Sequence, residues 1–427
     1  MRSKLSNELD TLIKEGVISS QTATDIRQYY AAKNENSPNL LYTIFGIFGA
    51  ILIGAGIILM IAHNWDAFSK VTKIIWALSP LVLAQLLVGY TILKEKSMAW
   101  KESASVLLFF AVGTAISLIS QIYHLPEQLD SYLLTWGLLC LPLVYLTKSR
   151  AVALLTLLTG TYYTIVIGWK LGESKTPWMY LIFIGAILPY YINLVRTYIA
   201  SNTTTIFNWA IPISCIIGLS CFIKKADELG FLMYITLFAV FYGIGRLQIF
   251  AQSNTLRNGF LLLGSFGTIV VLLILTFWEV WKDIGNGHQL GSQEFFIALF
   301  LVIIALILSV QRLANSKLKL NATTLIQYSF LLIWMVFFIP LGYIFATVII
   351  NLLLLAIGIT IIKSGIAKMH FRILNYGLLI TSVLIISRFF DTTMSFELRG
   401  AVFVVIGLSF FVSNYLMYKR QLKISKK

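Results

Sequence analysis

LGYIFATVIINLLLLAIGITII, residues 341–362, carries no Asp, Glu, Lys or Arg. An α-helix needs roughly 20 apolar residues to cross a bilayer, and this run supplies them. Similar runs fill most of the chain. Spans are expected at 41–62, 74–93, 103–123, 131–147, 151–169, 178–195, 205–223, 229–245, 258–278, 295–310, 322–339, 341–362, 373–387 and 400–418. None of them contains an acidic or basic residue. The run 373–387 is the shortest and is flanked by Arg372 and Arg388, whose long side chains would have to snorkel. The expected fold is all-α: a polytopic transmembrane helical bundle of about fourteen spans, preceded by a short soluble helical hairpin.

Composition agrees with this fold. The chain is 58% hydrophobic and 12% charged, about half the charge of an ordinary soluble protein. Its formal net charge of +15 does not describe a nucleic-acid-binding domain, because no basic domain stands in water. The charge lies in short loops and in the tail 419–427. With the N-terminus inside, inner segments hold 24 of the 33 Lys and Arg, and outer loops hold 9. That bias follows the positive-inside rule and puts both ends in the cytoplasm. Tryptophans 65, 76, 100, 169, 178, 209, 278 and 281 lie near span ends, as an aromatic belt requires. Cys140, Cys215 and Cys221 all fall in apolar runs and read as small packing residues.

Residues 1–40 read as a cytoplasmic amphipathic hairpin. Leu5, Leu9, Leu12 and Ile13 recur at helical spacing, Gly16 stops the helix and Ser19 caps the next. Ala23, Ile26, Tyr29 and Tyr30 would form the second apolar face, and Asn34 to Asn39 the linker. The early sequence has no apolar signal core, so the first span is expected to serve as the insertion signal. In that span Gly46, Ala50 and Gly54 expose a stripe of bare backbone suited to close helix packing. Gly46-x-Phe48-Gly49-x-Ile51 is matched by Gly264-x-Phe266-Gly267-x-Ile269, which chance explains about as well as a repeat.

The spans hold no ionisable residue for ion coupling. Their deeper polar groups are neutral: Gln85, Asn208, Asn351, Asn375 and scattered hydroxyls. Prolines 80, 142, 189 and 212 are read as helix bends. No hydrolase elbow or phosphate loop is present. The polar clusters sit at outer span ends: His63, Asn64, Trp65 and Asp66; then Gln121, Tyr123 and His124; then Arg388 and Asp391.

At these residues the chain resembles the prokaryotic membrane-protein family termed domain of unknown function 2157. The resemblance rests on "GVIS" at 16–19, "YY" at 29–30, "AHNWD" at 62–66, "SQIYHLP" at 120–126 and "RFFD" at 388–391. It implies a bacterial-type inner membrane protein and brings no catalytic residue with it.

The outer clusters admit three readings. Interfacial anchoring is the plainest, with Asp66 or Ser69 capping the next helix and Arg388 pairing with Asp391. A composite pocket for a polar or lipid-headgroup ligand is second, with His63, Asn64, Asp66, Gln121, Tyr123, His124, Arg388 and Asp391 as its candidate residues. A metal site from His63, Asp66, His124 and His288 is third and lacks any strong ligand spacing. No metal and no cofactor is therefore assigned. The expected partners are membrane lipids and a small polar or lipid ligand. Two functions remain in view. One is a transporter or flippase-like protein; the other is a non-transporting scaffold or sensor that uses the hairpin as its cytoplasmic contact.

The sidedness is open to test. Single cysteines replacing Glu127 and Lys426 should behave oppositely toward an impermeant thiol reagent, with only the first labelled in intact cells. Labelling of both would make the span number odd.

Overall fold

The computed structural model describes residues 8–9, 11–26, 65–126, 128–170, 175–224, 228–251, 253–284, 291–313, 322–339, 342–391 and 396–425. The described residues contain helices and turns and no strand. The chain forms two compact units, Met1–Trp76 and Ala77–Lys427. The expected span 41–62, with its glycine stripe, lies outside the described residues.

In the first unit, residues 11–14 and 20–26 are helical. Gly16 has a φ of 69°, and the Val17 amide donates to the Leu12 carbonyl, so it does stop the first helix. Ser19 does cap the second, its hydroxyl accepting from the Thr22 amide at 3.1 Å. Leu9 and Ala23 are buried.

After residue 64 each expected span overlaps a helix, though the helix in the expected span 258–278 already ends at Ile274. The helices are α1 (Lys70–Leu93), α2 (Met98–Ile122), α3 (Leu129–Thr147), α4 (Arg150–Gly168), α5 (Tyr180–Tyr198), α6 (Asn202–Ser220), α7 (Leu229–Gly245) and α8 (Gly259–Ile274). There follow a short α9 (Trp278–Asp283), then α10 (Gln293–Leu313), α11 (Ala322–Phe338), α12 (Tyr343–Ala367), α13 (Phe371–Asp391) and α14 (Phe396–Ser425). Eight of them are long and apolar enough to cross a membrane, and five more are shorter apolar helices. The weak run 373–387 belongs to a helix that continues through both flanking arginines, because nothing in Ser387 to Asp391 breaks helical geometry. The four span prolines lie inside α1, α3, α5 and α6.

Short loops are built from caps. Ser149, Ser201 and Asn258 accept from the Val152, Thr204 and Leu261 amides at 3.2, 3.1 and 3.0 Å. Each such cap stabilises its helix by about 1 kcal/mol.

α7 is the axis of the second unit. LGFLMYITLFAVFYGIG is apolar on every side, so it can be buried on every side. All its residues but Phe231, Tyr234 and Ile244 are buried, and it packs against α6, α8, α10 and α11. Glycines set the closest approaches. A Cβ on Gly264 would stand 2.5 Å from the Tyr242 amide nitrogen, and one on Gly245 2.5 Å from that of Leu261. α12 and α13 repeat the device: a Cβ on Gly365 would stand 2.5 Å from the Leu374 nitrogen. Such small-residue contacts bring helix backbones together where no hydrophobic force acts between helices. Trp281, assigned by its position to the aromatic belt, is instead buried. Its indole donates to the Leu275 carbonyl at 2.6 Å, closing the end of α8.

Gly264→Ala should therefore destabilise the detergent-solubilised protein by about 1–3 kcal/mol, the usual cost of forcing an atom into a filled site. Gly89→Ala meets open space within α1 and should be neutral or stabilising by up to about 1 kcal/mol. Thermal unfolding of the two variants measures the difference; equal midpoints would refute the close approach.

Candidate functional site

The structure treats the expected site residues unequally. His63 and Asn64 lie outside the described residues. Asp66 is exposed in a single turn, Trp65–Ala67. The following helix is capped by Ser69, which accepts from the Thr72 amide at 3.2 Å. Gln121, Tyr123 and His124 are exposed together where α2 ends. Arg388 and Asp391 occupy the last turn of α13.

His124 has a clear backbone role. Its φ is 50°, the left-handed region, and the Leu125 amide donates to the Ser120 carbonyl at 3.0 Å. This arrangement terminates a helix and normally favours glycine. Histidine at such a position stores strain of about 1–2 kcal/mol.

The unit has two distinct ends, joined by α4. At the Arg150 end, the Glu102 carboxylate accepts from the Ser149 hydroxyl and from the Arg150 and Ala151 amides, the latter two at 2.8 and 3.1 Å. It thus sits on the N-terminus of α4, where the helix dipole favours an anion. Arg150 reaches Thr203 at 3.4 Å. Nearby, Asn208 accepts from the Tyr191 hydroxyl at 2.6 Å and donates to the Arg257 carbonyl at 2.8 Å. The Arg257 guanidinium donates to the Ala200 carbonyl. This end is laced across four connections.

At the Gly168 end, the Lys224 ammonium donates to the Gly168 carbonyl at 2.7 Å, and its amide to buried Glu294 at 2.8 Å. Gln293 accepts from Thr176 at 3.0 Å and donates to the Phe222 carbonyl at 3.1 Å. His124 lies at this same end, since α3 runs from the α2–α3 turn back to Arg150.

Below Gln293 a cavity of about 550 Å³ opens between α5, α6, α7 and α10. This is within the about 300–1,000 Å³ usual for small-molecule sites. Trp178, Phe222 and Gln293 stand at its mouth, and Leu181, Phe296 and Phe300 are exposed along its open side. Ile184, Cys215, Leu237 and Leu301 line its far part. Nearly all of its surface is carbon. The Tyr180 hydroxyl is turned into the bundle, 2.7 Å from Ser214, which in turn lies 2.6 Å from Thr161. Gly218 makes room for that tyrosine ring, because a Cβ there would stand 2.6 Å from it.

The neutral polar groups expected in the spans hold the bundle together. Asn351 donates to the Thr276 and Thr347 carbonyls, and Asn375 accepts from Asn414 at 2.8 Å. Gln85 is exposed. Gln327, not singled out in the sequence, is buried and donates to the Ala239 carbonyl and to Ser309. The cavity was not legible either: its walls are ordinary Leu, Ile and Phe, and only their three-dimensional placement leaves a gap. Among the described residues, no group of three or more His, Cys, Asp or Glu could hold a metal ion.

Apolar helices with polar ends define a polytopic helical membrane protein. Residues 10–153 match the model of the family described as "Predicted membrane protein (DUF2157)". The resemblance carried by "GVIS", "YY", "AHNWD" and "SQIYHLP" is thus shown over those residues; "RFFD" lies beyond them. No curated protein and no solved structure matches the chain.

If His124 serves only to end α2, His124→Gly should raise the unfolding temperature and His124→Val should lower it, each by the equivalent of about 1 kcal/mol. A destabilised glycine variant would show that the imidazole itself holds structure.

Proposed function

We propose that this chain is a fourteen-span inner-membrane protein of bacterial type that handles lipid in a flippase-like manner. In this reading residues 1–40 form a cytoplasmic hairpin, 41–418 the membrane domain and 419–427 a basic cytoplasmic tail. The single observation that carries the lipid reading is the cavity, which is apolar and open sideways on helices of membrane-spanning character. A polar solute would find almost no hydrogen-bonding partner there, and leaving its polar groups unpaired would cost several kcal/mol. A hydrocarbon chain loses nothing by entering.

Two further observations support the alternation of spans. Loops that the charge bias assigns inside, around 102, 149, 203 and 257, bond to one another at the Arg150 end. Those assigned outside, around 176, 224 and 293, bond at the other end. The alternation of spans between them is that of the charge count. Within the second unit, Gln121, Tyr123, His124, Arg388 and Asp391 remain candidates for the proposed polar vestibule on the outer face, suited to a headgroup.

The scaffold or sensor reading has its own support. The buried amides of Asn208 and Gln327 are engaged in fixing helices, as expected of a rigid bundle.

Reconstitution separates the two. In vesicles carrying a fluorescent phospholipid, the full chain should increase the fraction of probe reduced by an impermeant reagent over that in protein-free vesicles. An unchanged fraction would reject lipid movement and leave the scaffold.

A further inference from the structure

The geometry points to the cavity as the seat of one hydrocarbon chain of a lipid from a single leaflet, the one at the Gly168 end. For the chemistry of its occupant this rests on the lipid reading above, but it requires no movement of lipid between leaflets.

Four helices border the cavity, and the lining along three of them reaches a similar depth. On α10 the lining runs from Gln293 to Leu301. Along α6 it runs from Phe222, just past the helix end, back to Cys215, and along α5 from Trp178, just before the helix, to Ile184. On α7, which starts at this end with Leu229, the lining residue is Leu237, the middle of that helix. At 1.5 Å per residue these stretches span about 9–12 Å. Half of a bilayer's hydrocarbon is about 15 Å thick. The cavity therefore begins at the polar edge and ends close to the midplane.

That depth selects the occupant. A transmembrane helix of a partner or of a second copy is about 10 Å wide and needs a groove along the full hydrocarbon thickness of about 30 Å. A groove half that long fits the tail of one leaflet's lipid. The walls agree: the two lining residues with polar side-chain oxygens, Gln293 and Tyr180, spend them on Thr176 and Ser214. Leu181, Phe296 and Phe300 form an exposed side wall, so a chain can enter laterally without crossing the polar rim. The space would otherwise be empty, and an empty gap forfeits the dispersion contacts of its lining atoms.

The mouth also fixes the level of the headgroup. Gln293 ties α10 to the Phe222 carbonyl and to Thr176, and the rings of Trp178 and Phe222 meet edge to face at 5.3 Å beside it. Trp at this depth is the usual marker of the headgroup boundary. The ester region of the lipid would lie level with Gln293 and its chain terminus at Cys215, Leu237 and Leu301.

Photolabelling tests this on the full chain in phosphatidylethanolamine–phosphatidylglycerol vesicles. The probes are two phosphatidylcholines, one with a diazirine near the ester and one with a diazirine at the chain terminus. Peptide mapping should find the first on Trp178, Phe222 or Phe296, and the second on Ile184, Cys215 or Leu301. Ile184→Trp and Leu301→Trp each fill the floor from a different helix and should abolish terminal-probe labelling there while keeping the wild-type unfolding temperature. Using two variants guards against one that fails to fold. Equal labelling of mouth and floor by both probes, or labelling unaffected by both fillings, would overturn the seat. So would a cysteine at Phe300 forming a disulfide between two copies, since a second copy would then cover the opening. The seat and the flippase-like reading fail separately. Depth-resolved labelling without lipid movement leaves the seat standing, and lipid movement without it removes the seat.

Discussion

Backbone amides and carbonyls have no water to turn to inside a bilayer, and this constraint organises the molecule. Helices satisfy it along their length but leave four donors and four acceptors at each end. The chain places those ends in turns of a few residues and closes them locally. Ser149, Ser201 and Asn258 cap N-termini, and left-handed residues at Glu95, His124, Lys148 and Met369 close C-termini. Where a helix stops early, a side chain completes the closure. α8 gives way at Leu275, and Trp281 and Asn351 take up the Leu275 and Thr276 carbonyls.

With the backbone satisfied, packing decides the arrangement. Lipid tails are as apolar as leucine, so burial of apolar surface cannot by itself say which helix goes to the centre. Shape does. α7 has glycines at both ends and faces Gly264 and Gly267 on α8, so the two backbones close on each other over several turns. α12 and α13 do the same through Gly358, Gly365 and Gly377. Side chains with hydrogen-bonding tips then fix rotation: Trp334 to Thr236, Gln327 to Ser309, Tyr191 to Asn208.

This division explains what could be read in the sequence. Helix positions were legible because charge is excluded from the hydrocarbon, so loops announce themselves by Lys, Arg, Asp and Glu. The caps were legible at Gly16, Ser19 and Ser69 because capping is local chemistry. Neighbour relations were not, since a leucine facing lipid and one facing another helix are the same residue in the sequence. Trp281 shows the limit: its position near a span end suggested the interface, yet its indole closes a buried helix end. Glu294 shows it again. It stands just before the expected span 295–310, yet it lies buried in the first turn of α10 and accepts from the Lys224 amide.

The two ends of the second unit differ in a way that bears on any lipid chemistry. At the Arg150 end, Glu102, Arg150, Asn208 and Arg257 cross-link successive connections by hydrogen bonds that share partners, and Asn258 adds another to the Gly245 carbonyl at 2.7 Å. Separating α4, α6 and α8 there would break several of these bonds at once. At the Gly168 end Lys224 bonds to Gly168 and Glu294, and Gln293 to Thr176 and Phe222. Gln293 and Glu294 tie α10 to Thr176 and to the residues that follow α6, directly above the cavity. The cavity lies at that end, and its floor is set by Leu237 of α7, a helix buried along nearly its whole length.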